Sequence, residues 1–126
     1  MENRYKVNID LKSREIRTDA RFRTGDTNSG TMEITLTNNS LVENITGQNI
    51  TFNFQKADGK TVTQDMTNGV KIIDGEKGIF EVVLRNETLQ VAGKVNCNIT
   101  FTKDDEITST IGFIFTIDQS IGDGEI

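Results

Sequence analysis

The stretch VNCNITFTKDDEITSTIGFIFTI, residues 95–117, decides the fold. Val95, Cys97, Ile99 and Phe101 alternate with Asn96, Asn98 and Thr100. After a Lys-Asp-Asp-Glu turn, Ile111, Phe113, Phe115 and Ile117 resume the alternation, with Ile114 alone apolar on the opposite side. A period of two puts successive side chains on opposite faces of a strand, so this stretch reads as two long strands, each with one buried face. Cys97 falls on the apolar face, as a small buried hydrophobe rather than a nucleophile.

The same pattern recurs outward in both directions. YKVNIDL (5–11), MEITLT (32–37) and ITFNFQ (50–55) each set an apolar row against a polar one, and their Ile, Val, Thr and Phe content suits a pleated surface. Asp58-Gly59 within KADGK marks a hairpin into TVTQDM, and DGEKG (74–78) separates VKII from IFEVVL. In NETLQVAGK (86–94) the alternation breaks, and one helical turn near 86–92 is expected before Gly93. The chain is therefore expected to be all-β, an antiparallel sandwich of about eight short strands with that single helical turn. Residues 1–118 are expected to form one domain, and 119–126 a polar tail or the start of a linker. Phe52, Phe54, Phe101, Phe113 and Phe115 are its expected core.

Composition narrows the function. The chain has 126 residues and a formal net charge of -5, which argues against a broad nucleic-acid surface. It has no histidine, which removes Ser-His-Asp and Cys-His catalysis and most zinc sites. Its single cysteine cannot close an internal disulfide. No run approaches membrane-spanning length, and the polar, alternating start reads as a strand rather than a signal peptide, so a cytoplasmic site of synthesis is expected. The carboxylate groups Asp74/Glu76 and Asp104/Asp105/Glu106 fit no calcium-loop pattern and sit where turns are expected. No catalytic residue, cofactor site or metal site is assigned.

Two polar features invite binding. Asn53, Gln55, Asn96, Asn98 and Thr100 face outward and offer sugar-like hydrogen bonding, although the aromatic residues point the other way. RFRTGDTNSG (21–30) joins two arginines to a Gly-Asp turn. Its backbone could form an anion nest, but no helix follows and no Walker-type lysine is present. Arg21, Arg23, Thr24, Gly25, Asp26 and Asn28 are the candidate protein-docking residues, since Arg is enriched at interfaces. An internal salt bridge or capped turn is the competing reading of the same loop.

LKSREIRTDARFRTGDTNSGTMEITLTNN (11–39), ITGQNITFNFQKADGK (45–60) and VAGKVNCNITF (91–101), in that order, resemble the N-terminal domain of phage baseplate upper proteins. That BppU-like family occurs in phages and prophages of Gram-positive bacteria. Lys12, Ser13, Phe22, Arg23, Thr24, Gly25 and Asp26 correspond to its opening motif. The resemblance implies a structural virion protein of the tail baseplate that links peripheral receptor-binding or fibre components to the distal tail protein. Downstream regions of such proteins trimerise and carry the receptor-binding protein. The sequence ends after one domain without heptads, which is expected of either the N-terminal domain of a longer protein or a short homologue. The resemblance implies a trimer only for a full-length protein, and the isolated domain is expected to be monomeric or weakly associated, without nucleic-acid or membrane partners. The alternative function is a stand-alone module binding carbohydrate or another cell-surface ligand.

Overall fold

The computed structural model describes residues 3–12, 17–23 and 30–119. Ten strands lie among them: β1 (Asn3–Asp10), β2 (Arg17–Arg23), β3 (Gly30–Asn38), β4 (Leu41–Val42), β5 (Asn49–Gln55), β6 (Thr61–Gln64), β7 (Val70–Asp74), β8 (Ile79–Val83), β9 (Gly93–Lys103) and β10 (Glu106–Asp118). A 3-10 turn, Gly75–Lys77, joins β7 to β8, and one helical turn, α1 (Asn86–Leu89), joins β8 to β9. The first sheet runs β1-β3-β8-β7, with β4 also paired to β3; the second runs β2-β10-β9-β5-β6.

The all-β sandwich and the helical turn match expectation, and two details differ. Arg17–Arg23 and Leu41–Val42 are additional strands. The sandwich is also not wholly antiparallel: β1 runs parallel to β3, and β2 parallel to β10. Parallel neighbours need a crossover. For β1 and β3 that crossover is β2: the chain leaves the first sheet after β1, adds β2 to the second, and returns as β3 beside β1, while β2 and β10 are joined through the intervening strands of both sheets.

Alternation converts directly into burial. Along β9, Val95, Cys97, Ile99 and Phe101 are buried, and along β10 so are Ile111, Phe113, Phe115 and Ile117. All seven phenylalanines are buried, Phe22 and Phe80 joining the five expected. Their rings form a connected path: Tyr5 meets Phe22 edge-on at 4.8 Å, Phe22 meets Phe115, Phe115 meets Phe54, and Phe52 links Phe54 to Phe80 and Phe101 beyond. Each buried Phe stabilises by roughly 1.5–3 kcal/mol relative to exposure. Burial also raises the Cys97 thiol pKa well above its ordinary value, as the inward register requires.

One corner is closed by a polar side chain. Gln64, on β6 at the edge of the second sheet, is buried. Its amide donates to the Val83 carbonyl at 2.8 Å and the Asn68 carbonyl at 2.9 Å, and its oxygen accepts the Arg85 N–H at 3.2 Å. These bonds fasten the two sheets where the chain passes from β6 to β7.

Candidate docking surfaces

Strand register sorts the loops onto two ends of the sandwich. At one end β1 and β3 begin together, with Asn3 opposite Gly30. There β2 and β10 also finish together, with Asp118 opposite Arg23, and β9 starts with Gly93 opposite Ile117. Leu89 of α1 and the Phe22 ring both pack within van der Waals reach of Gly30. Buried Lys56 holds α1 from the side, its Nζ donating to the Glu87 carbonyl at 2.8 Å and lying 3.7 Å from Asp58. The N-terminal strand, the start of β3 and the point where the chain leaves β10 thus share one end.

The strands that flank the candidate docking loop meet this end, β2 finishing at Arg23 and β3 starting at Gly30. Arg21 and Arg23 lie in β2, their backbone in register with Thr116 and Asp118. Thr24, Gly25, Asp26 and Asn28 lie outside the described residues. The loop therefore begins on an edge strand of one sheet and returns as the central β3 of the other, beside the chain exit. Strand β2 itself carries only one strongly apolar residue, Phe22, so its sequence gives a weak strand signal.

The opposite end holds the Asn39-Ser40 turn, β4, the segment 43–48 that crosses to β5, and the 103–106 hairpin turn. Asp10 organises the first of these. Its carboxylate accepts from the Lys12, Asn39 and Ser40 N–H groups at 2.8, 3.1 and 2.7 Å, and from the Thr37 hydroxyl at 2.9 Å. The N–H groups of Lys12 and Ser40, helped by Thr37 and Asn39, lower its pKa from 3.8 to about 2. Nearby, the Thr108 hydroxyl donates to Gln48 Oε1 at 2.6 Å, tying the β10 strand to the crossing segment. Leu41 (72%), Ile107 (69%) and Val42 (59%) at this end are the most exposed large hydrophobic residues described.

The two outer sheet faces differ in chemistry. Across the first sheet the register sets Lys6, Glu33, Glu81 and Lys71 in one row, so the two adjacent glutamates are flanked by lysines. Across the second, Thr63, Asn53, Asn98 and Gly112 fall in one row and Gln55, Asn96 and Ile114 in the next. A shallow cleft of about 250 Å³ opens there between Asn96, Asn98 and Ile114, with Gly112 at its floor. Asp74 caps the 3-10 turn, and Asp104 and Asp105 form the hairpin turn with positive φ, so the acidic groups occupy turns. Among the described residues, no three His, Cys, Asp or Glu side chains gather as a metal site.

Two five-stranded sheets make an all-β domain, and the polar rows, the cleft over Gly112 and the exposed tip described above lie on its surface. The family model of the BppU N-terminal domain matches residues 3–126, and the chain belongs to that family, a structural domain of phage baseplates. The fold is also similar to that of the N-terminal domain of phage TP901-1 ORF48, with a TM-score of 0.72 at 15% identity, covering 93% of this chain and 98% of that one. No curated protein sequence matches the chain.

Proposed function

We propose that this chain is the attachment domain of a phage tail baseplate protein, linking peripheral receptor-binding or fibre components to the distal tail protein. The family match over residues 3–126 carries this reading. The geometry fits it: the chain leaves β10 beside the end of β2, so downstream components would hang from the end that carries the docking loop. In this reading Arg21, Arg23, Thr24, Gly25, Asp26 and Asn28 contribute a contact to the baseplate, and residues from 119 onward lead toward the peripheral parts. The domain acts by binding, without catalysis.

The cleft over Gly112 favours a second reading, a carbohydrate- or cell-surface-binding module. Its amide walls suit hydroxyl groups, but the seven phenylalanines are buried, and the exposed apolar side chain lining the cleft is Ile114 rather than an aromatic ring. Gold-labelled antibody against the chain, applied to virions of the phage that encodes it, separates the readings. Label confined to the tail tip supports the baseplate role. Virions without label, with soluble chain binding host cells directly, would replace it with the module.

A further inference from the structure

We propose that the end of the sandwich opposite the chain exit is a second protein-docking surface, built on Leu41, Val42 and Ile107, for a baseplate protein presenting an apolar cleft with a basic rim. The proposal rests on the baseplate reading above and adds a second contact to it, so that the domain sits between two neighbours rather than hanging from one.

Singly exposed apolar residues are ordinary on protein surfaces. Two consecutive ones on a two-residue strand, held on a rigid turn, are different. Leu41 and Val42 are 72% and 59% exposed, and their strand is paired to β3 through Asn38 and Thr37. The turn before them is fixed by the Asn39 and Ser40 N–H bonds to Asp10, and the Glu43 N–H after them bonds the Leu36 carbonyl at 3.2 Å. Such a tip loses little conformational entropy on docking, which is how preorganised anchors gain affinity. Ile107 stands at the same end on the second sheet, where the Thr108–Gln48 bond fixes the neighbouring backbone.

Charge identifies the occupant. Among the described residues, the turns and strand ends at this end carry Asp10, Glu43, Asp74, Glu76, Asp104, Asp105 and Glu106 against Lys12, Lys77 and Lys103, an acidic balance on an acidic chain. A second copy would bring the same excess of negative charge to the contact, whereas a basic rim is complementary. The position of the chain exit points the same way: Asp118 lies at the far end of β10 from Ile107, so the tip remains open when downstream parts occupy the other end.

The test uses tails from a phage lacking the gene for this chain, to which purified chain is added back. Leu41→Asp combined with Val42→Asp, and separately Ile107→Asp, should each lower tail occupancy by about tenfold or more, as loss of an interface anchor does, with melting temperatures unchanged. Photo-reactive benzoylphenylalanine at position 41 or 107 should crosslink to another tail protein, whereas the same group at Asn53 or Asn98 should not. If wild-type chain joins the tails and the aspartate variants join equally well, the tip is not a contact and only this proposal falls. Crosslinks between copies of the chain would overturn the assigned occupant. Wild-type chain that fails to join tails at all would remove the baseplate reading, and this proposal with it.

Discussion

Asp10 and Ser40, thirty residues apart, meet through a 2.7 Å bond from the Ser40 N–H to the Asp10 carboxylate. The contact joins the end of β1 to the turn that presents Leu41 and Val42. It also makes that turn sensitive to acid. The folded pKa lies below the unfolded one, so the stabilisation is complete above 3.8 and is lost as pH falls through about 2. Thermal melts of wild type and Asp10→Asn should differ most near neutrality and converge toward the lower of those values. A constant gap across the whole range would show that the carboxylate charge is not what holds the turn.

The ring path through the core makes a ranking. Phe52→Ala and Phe80→Ala, each at the junction of the two sheets, should cost about 3–5 kcal/mol. Asn53→Ala, on the outer face one residue away, should stay within about 1 kcal/mol, the loss of its 2.7 Å bond from the Thr63 hydroxyl included. Urea denaturation of the three variants checks the order, and a reversed order would contradict the strand register.

Two turns strain ordinary residues, and one position tolerates none. Asp104 and Asp105 hold φ of 53° and 65° in the β9–β10 turn, where Asp-Gly would fit better. Asp105→Gly should therefore stabilise by about 0.5–1 kcal/mol, after allowing for the greater freedom of glycine in the unfolded chain. Gly78 has φ of 70°, and a Cβ there would lie 2.6 Å from the Leu36 and Glu43 carbonyl oxygens. Gly78→Ala should be strongly destabilising in the same melts, opposite in sign to Asp105→Gly.

Gln64 offers the sharpest test of the closed corner. In Gln64→Leu the Val83 and Asn68 carbonyls and the Arg85 N–H lose their partner, at about 1–3 kcal/mol for each group left buried and unpaired. A total loss above about 2 kcal/mol is expected, with faster hydrogen exchange at Arg85. A Leu variant as stable as wild type would mean that water replaces the amide.

The sandwich was legible because its core strands alternate strongly: residues 95–117, 50–55 and 32–36 give both the face and the burial. What escaped lies where side-chain pattern carries no information. Alternation specifies which face is buried but not the neighbour or its direction, so the parallel β1–β3 and β2–β10 pairs could not be read. Leu41–Val42 is too short to show a period, and both residues are exposed. Gln64 shares the apolar phase of TVTQ with Val62, but a polar side chain there gives no sequence signal of the buried tie it makes. Asp10 reads as an outward strand residue, and its partners Asn39 and Ser40 are distant in sequence. Of the candidate docking loop, the structure places Arg21 and Arg23 on β2 and describes none of Thr24, Gly25, Asp26 and Asn28.

The central claim is attachment to the baseplate, and calorimetric titration of the chain into the purified distal tail protein of the same phage tests it most directly. Saturable binding is predicted, weakened by Arg21→Ala and Arg23→Ala variants that melt at the wild-type temperature; breaking a buried charge pair at the contact would cost about 2–5 kcal/mol. Well-folded chain that gives no binding to that protein, while binding cell-surface glycan, would contradict the account.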